Sequence, residues 1–249
     1  NSRRKAINMV ISQLSSKYIK NLQRYNVILK KRNQYLKNVD LLLDYNKYYF
    51  NLLNDNYCSL AVDIAFVRKK FIEKVNQYLS SIYFEITGYA NLELAYVCNF
   101  KIAEDEIQTE KELKKMLLEN FEREKRYKIT LFGIQRDDFI FFLNGKDLSI
   151  YGSQGQIRAA MLALKLSEVL IFKKFDGDSP ILLLDDVFSE LDVEKRNKVI
   201  KYILNDVQTV ITTTDIDLID SELLYKSKIF NVYSYTQFLR IFMGLFLFG

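Results

Sequence analysis

From Met9 onward the apolar residues return at helical spacing: Ile11, Leu14, Tyr18, Leu22, Tyr25, Leu29 and then Leu36. Steps of three and four as far as Leu29, and one of two turns to Leu36, define one stripe of a long amphipathic helix, with basic residues filling much of the opposite surface. A second helical stretch from about Val39 to Leu53 and a third from about Leu60 to Leu79 predict an arm of three antiparallel helices. "NLELAYV", Asn91 to Val97, switches to near alternation and predicts a strand. From Glu104 to Arg126 strong helix formers dominate, acids leading and bases gathering at the end, as the helix dipole favours. A solvated helix is expected there.

The character changes after Tyr127. "YKITLFG" (Tyr127 to Gly133) and "FIFFLNG" (Phe139 to Gly145) are short β-prone runs, and "NGKD" at Asn144 to Asp147 predicts a turn. A glycine-bearing loop, "YGSQGQ", precedes a long apolar helix from Gln156 to about Lys173. "PILLLDD", Pro180 to Asp186, is a continuous apolar run, which suits a strand buried on both faces of a parallel sheet. A helix from about Val193 to Leu204 and strands at Thr209 to Thr214 and Ile229 to Tyr233 complete an α/β unit. The domains expected are therefore a mainly helical arm over 1–125, with a strand near 82–98, an α/β lobe over 126–235, and an atypical apolar tail over 236–249.

The 249 residues are 49% hydrophobic and 27% charged, a globular balance, and one proline with eight glycines leaves little room for disordered linkers. Cys58 and Cys98 have no paired spacing, which fits a reduced, cytoplasmic protein, and the absence of histidine excludes His-based triads and the HExxH zinc helix. No signal peptide is legible in "NSRRKAINMV", and "FLRIFMGLFLFG" is about half the length that spans a bilayer, so no membrane association is expected. Asn1 in place of a methionine points to a processed, trimmed or fragmentary chain. The net charge of +5 is uneven: residues 1–40 hold ten Lys/Arg against one acid, and the remainder is net −4. A basic arm beside a mildly acidic body suits a polyanion partner as readily as a solvated helix face.

Candidate chemistry gathers in the α/β lobe. In "YGSQGQIRAA" (Tyr151 to Ala160) two glycines flank Ser153 and Gln154 at the entry to a helix, an arrangement that lets backbone N–H groups approach an anion. Asp185 and Asp186 close the buried strand, where open α/β sheets place their ligands. One division of labour has Asp185 hold Mg²⁺, directly or through water, and Asp186 orient or deprotonate an attacking water; the other has Asp186 as the N-cap of a turn and Asp185 in an ion pair. "SELD" (Ser189 to Asp192) and "TTTD" (Thr212 to Asp215) follow in order.

This order of glycine loop, helix, strand-DD, SELD and strand-TTT resembles the C-terminal half of an ABC-type ATPase head. More narrowly, "LNGKD", "GSQGQ", "ILLLDDVFSELD" and "ITTTD", with the basic helix "SRRKAINMVISQLSSKYIKNLQRYNVILKKRNQYLK", resemble the RecF family, recombination-mediator ATPases of the SMC-like group, up to about Tyr233. The resemblance implies that Gly152, Ser153, Gln154, Gly155 and Gln156 form the signature loop, which binds the γ-phosphate of ATP held by the opposite subunit. It implies that Asp185 is the Walker B Mg²⁺ ligand, Asp186 the catalytic carboxylate, and Ser189, Glu190, Leu191 and Asp192 the D-loop. Thr212, Thr213 and Thr214 then stand at the switch position. Two departures accompany it: the family's "GPHRDD" reads "GIQRDD" at Gly133 to Asp138, and the final residues do not match.

A complete site of this kind also needs GxxxxGK[ST], and none occurs; at Gly145-Lys146 the first glycine is replaced by Ile140 and the Ser or Thr by Asp147. The resemblance therefore implies a RecF lacking its N-terminal phosphate-loop lobe, and with it ATPase activity only in the intact protein. The implied function is ATP-dependent DNA binding in replication, repair and the SOS response to DNA damage. The implied partners are single-strand/double-strand junctions or gaps, RecO- and RecR-type mediators, and a second copy as an ATP-dependent dimer. Arg3, Arg4, Lys30, Lys31 and Arg32 are the expected DNA contacts. A truncated, non-catalytic docking module is the alternative; an SMC-like structural head fits less well, because those proteins need a far longer coiled coil.

Overall fold

A computed structural model of the chain describes residues 2–38, 47–176, 180–185, 187, 193–203, 207–219 and 221–230. The single long helix expected from Met9 to Leu36 is two, α1 (Ser2–Leu14) and α2 (Ser16–Asn38). The break lies at Ser15, whose Oγ accepts the Tyr18 N–H at 3.2 Å. A serine that satisfies an orphan N–H restarts a helix cheaply, and the apolar stripe continues across the break. Periodicity alone could not reveal it.

The opposite correction applies to α3 (Lys47–Thr87), one helix of 41 residues where two were expected. The polar run Asn54-Asp55-Asn56 reads as a connector but is fully used inside the helix. Asn54 Oδ1 accepts from Arg32 Nε at 2.8 Å, Asp55 pairs with Lys114 at 2.9 Å, and Asn56 Nδ2 donates to Leu52 O at 2.8 Å. Leu53, Tyr57, Cys58, Ala61 and Ile64 stay buried on either side, and no glycine or proline interrupts the run.

The chain packs as two compact units, Asn1–Glu73 with Ala95–Ile140, and Lys74–Leu94 with Phe141–Gly249. In the first, α1, α2 and most of α3 pack with α4 (Glu106–Glu119) and α5 (Phe121–Tyr127). Here the helix expected over Glu104 to Arg126 is parted at Asn120. Asp105 caps α4 by accepting the Gln108 N–H at 2.7 Å.

Two buried arginines tie this unit together. Arg32 donates to Glu124 at 2.5 Å and to Thr130 at 2.7 Å, with its guanidinium 5.4 Å from the Phe50 and Tyr57 ring centres. Arg68 donates to Asp137 at 2.8 Å and to the Ile134 carbonyl at 3.1 Å. Both ion pairs are shut off from water, so each charge depends on its partner.

The β-prone run Tyr127 to Gly133 is not a strand. Lys128 ends α5 in the left-handed region, and side chains then take the place of a ladder. The Thr130 N–H goes to Asn33 Oδ1 at 2.8 Å, Leu131 N–H to Glu124 Oε1 at 2.8 Å and Gly133 N–H to Asn99 Oδ1 at 3.1 Å. The Phe132 carbonyl accepts from Tyr57 at 2.6 Å. With its backbone satisfied this way, the segment gains nothing from pairing as a strand.

Strands β1 (Leu92–Val97), β2 (Asp138–Leu143) and β3 (Lys146–Asp147) form one sheet in that order. The predicted turn joins β2 to β3: Leu143 faces Lys146, and Asn144 and Gly145 have φ of 49° and 75°, as a two-residue hairpin turn requires. In the second unit, α6 (Leu148–Tyr151) and α7 (Gln154–Asp176) precede β4 (Leu182–Asp185). After α8 (Val193–Ile203), β5 (Thr209–Thr212) pairs in parallel with β4, Leu182 facing Thr209 and Asp185 facing Thr212. Helix α9 (Ser221–Tyr225) is the last described element.

The parallel pair agrees with the expected α/β architecture, but β4 is not buried on both faces. Leu182 and Leu184 are buried, whereas Ile181 and Leu183 are 59% and 72% exposed. The apolar run has no alternation to mark which face is covered, so the sequence points to both. At the strand expected over Ile229 to Tyr233, Ile229 and Phe230 have no regular structure, and residues 231–233, like the tail at 236–249, lie outside the described residues. Among the described residues no helix is long and apolar enough to cross a membrane.

Candidate functional site

The glycine loop sits between two helices that dictate its form. Asp147 caps α6, accepting from the Ser149 N–H at 2.8 Å and its hydroxyl at 2.6 Å. The α6 helix ends at Gly152, whose N–H donates to the Leu148 carbonyl at 2.9 Å. A Cβ on Gly152 would collide with that carbonyl and with the Leu148 side chain, so glycine is required by close approach.

Ser153 then starts α7 as a capping box. Its Oγ accepts the Gln156 N–H at 3.2 Å, and its own N–H donates back to Gln156 Oε1 at 2.9 Å. The S-x-x-Q spacing carried this signal in the sequence, and the two residues assigned to ligand binding turn out to organise the loop as well. Gly155 has open space where a Cβ would lie, and Ser153, Gln154 and Gly155 are exposed. The N–H groups of Gln154 and Gly155 have no partner among the described residues, which leaves two donors at the positive end of a 23-residue helix. Such an end accepts an anion.

At the carboxyl end of β4, Asp185 is exposed and its Oδ1 accepts the Thr212 hydroxyl across the parallel pair. The sequence placed both residues near one edge; their hydrogen bond was not foreseen, and β4–β5 register supplies it. Thr213 is buried, its Oγ1 donating to the Asp215 carbonyl at 3.0 Å and accepting the Asp215 N–H at 3.2 Å, while Thr214 is exposed. Among the described residues no group of three His, Cys, Asp or Glu could hold a metal alone. One exposed, oriented carboxylate suits Mg²⁺, which usually takes one or two carboxylates and fills the rest with phosphate oxygens and water. Asp186, Ser189, Glu190, Leu191 and Asp192 lie outside the described residues.

The "GIQRDD" segment is structural in this chain. Gln135 Oε1 accepts from both Tyr25 and Tyr57, whose hydroxyls are 2.7 Å apart, and Ile134 is buried. Asp137 accepts from Arg68, from Tyr96 and from the Asn99 N–H at 2.9 Å. Burial, and then the Asp137 charge, push the Tyr96 hydroxyl well above its ordinary value, so it remains the donor. Burial alone would raise the Asp138 carboxyl, but the Arg3 hydrogen bond and the Phe139 N–H outweigh it and hold the group below the usual range.

Three of the expected DNA contacts are engaged here. Arg3 pairs with Asp138 at 2.5 Å, Arg4 donates to the Asp137 carbonyl at 3.0 Å, and Arg32 is fully buried against Glu124. Arg32 is therefore corrected from a surface contact to an internal tie. An arginine on a basic stripe reads as exposed until its partner, 92 residues away, is known. Lys30 and Lys31 are exposed.

No family model matches the chain. The DNA replication and repair protein RecF of Staphylococcus aureus, in the JH9 and Newman strains alike, is 36% identical over 233 residues. The match takes in 92% of this chain and 63% of the relative, so the chain spans about 63% of the length of the curated proteins it matches. Two solved structures share the fold over 88% of the chain with a TM-score of 0.78: the recombination mediator protein RecF with an ATP analogue, at 31% identity and 59% of that chain's length, and the same mediator with ATP, at 30% and 58%.

Proposed function

Since the chain is homologous to RecF proteins along nearly its whole length, we propose that it carries the signature-loop half of a RecF-type ATPase acting on DNA in replication, recombination and repair. The 36% identity across 92% of the chain is what carries the reading. In it, Ser153 and the N–H groups of Gln154 and Gly155 receive the γ-phosphate of ATP bound on a second subunit. Gly152 shapes the turn that presents them, and Gln156 holds Ser153 in place until the phosphate arrives.

Asp185 would hold Mg²⁺, which supplies charge neutralisation at the phosphates, and the Thr212 hydroxyl fixes that carboxylate's orientation. Asp186 takes the role of the catalytic carboxylate, Ser189 to Asp192 that of the D-loop, and Thr213 and Thr214 complete the switch position. The partners are DNA bearing gaps or junctions, mediators of the RecO and RecR type, and a second copy joined through ATP. The protein acts in the cytoplasm.

These 249 residues hold no GxxxxGK[ST], so this chain alone closes a nucleotide site without cradling the phosphates itself. Titrating fluorescent ATP with Mg²⁺ into the isolated chain tests that division. No saturable binding in the micromolar range is expected; one tight site per chain would contradict it.

A further inference from the structure

Helix α2 carries Lys17, Lys20, Arg24, Lys30, Lys31 and Lys37 on its exposed side, and it contains no Asp or Glu. These residues lie in two adjoining rows: Lys17, Lys20, Arg24 and, two turns on, Lys31, then Lys30, Gln34 and Lys37 at steps of four and three. Among the described residues none of the six forms an ion pair, in contrast to Arg3, Arg32, Arg68 and Lys114 of the same unit. A groove beside the second row is lined by Asn26, Leu29, Lys30, Asn33, Gln34 and Lys37, amides interleaved with cations.

We infer that this face of α2 is a docking surface for the backbone of duplex DNA. The inference rests on the DNA reading proposed above and assigns it a place. From Lys17 to Lys37 the rows run about 30 Å at the helical rise of about 1.5 Å per residue, close to one turn of a duplex at about 34 Å. Cations set along one helix meet a rod that carries one phosphate charge about every 1.7 Å of its axis. The exposed amides of Asn26 and Gln34 beside them suit phosphate and sugar oxygens, which position a protein without reading sequence.

The same face fits the alternatives poorly. A single strand is gripped by stacking its bases on exposed aromatics, and the α2 tyrosines Tyr18, Tyr25 and Tyr35 are all buried. A membrane-surface helix needs a free apolar side beside its cations. Here that side is packed into the unit, and only Ile19 and Val27 are exposed large apolar residues on α2.

The test compares the full chain with two triple variants of equal charge change: Lys20→Gln, Arg24→Gln and Lys31→Gln on α2, against the exposed Lys69→Gln, Lys70→Gln and Lys111→Gln. Fluorescence anisotropy would follow a labelled 30-base-pair duplex and a single strand of the same length across a salt series, with thermal unfolding confirming that both variants fold. The α2 triple should weaken duplex binding roughly tenfold or more at low salt and lower the slope of log K against log salt by about three. The control triple should keep the parent slope. An α2 triple with the parent slope would overturn this surface while leaving DNA binding intact. Tighter binding of the single strand than of the duplex would overturn the duplex assignment. A parent chain that binds neither DNA at low salt would overturn the DNA reading for this chain and the surface with it.

Discussion

Arg68 and Asp137 show how much of the first unit's order rests on single side chains. Asp137 is buried and accepts from Arg68, Tyr96 and the Asn99 N–H, and Arg68 also donates to Asn8 Oδ1 at 3.0 Å and Tyr18 Oη at 3.2 Å. Arg68→Met strands the carboxylate in the interior and should cost about 3–5 kcal/mol in urea unfolding. The double variant Arg68→Met with Asp137→Leu should recover much of that loss, because an unpaired buried charge, more than the missing contact, sets the cost. The two thiols add a pH dependence. Burial pushes Cys58 up to about 12, and burial followed by the Asp137 charge does the same for Cys98. A raised folded value contributes stability in full below the unfolded value of about 8.5 and loses it as pH rises toward 12. Under reducing conditions, unfolding free energy should fall between pH 8.5 and 10.5, by up to about 1.4 kcal/mol per pH unit for each thiol. Cys58→Ala should flatten that fall; an equally steep curve would place its cause elsewhere.

At the scale of elements, Gly133 decides how the loop after α5 closes. Its φ is 132°, and a Cβ there would run into the hydroxyls of Tyr57 and Tyr25. Gly133→Ala should therefore destabilise by about 1–3 kcal/mol, read by urea unfolding, through backbone strain and by prising apart the Tyr25–Tyr57–Gln135 cluster. A neutral outcome would mean that the tyrosines relax freely. Around this loop the sequence was least legible. Thr130, Leu131 and Gly133 direct their N–H groups to side chains 97, 7 and 34 residues away, and no local pattern announces such partners. The unbroken passage of α3 through Asn54 was hidden for a similar reason, since Arg32 and Lys114 decide it, whereas the Ser15 break is local and was masked by the apolar stripe that continues across it. Where local chemistry suffices, it was readable: the Asn144-Gly145 hairpin turn and the presence of a helix after the glycine loop, whose start lies at Gln154, two residues before the expected Gln156. In the site, the residue types at Gly152, Ser153 and Asp185 were legible, while the Thr212–Asp185 bond depended on strand register.

For the molecule as a whole, the two units divide the work proposed for them. The first presents the α2 cations, which form no ion pair among the described residues; the second holds the glycine loop proposed as the signature loop, the Asp185 edge, and exposed Ile181 and Leu183 at β4. In the proposed function, Ser153 serves a nucleotide held by another subunit. The most direct measurement is sedimentation of the labelled chain mixed with Staphylococcus aureus RecF, with Mg²⁺ and either a slowly hydrolysed ATP analogue, ADP or no nucleotide. A complex that forms with the analogue only, and that Ser153→Arg abolishes, is the predicted result. Association that is equal in all three conditions, or that survives Ser153→Arg undiminished, would contradict it.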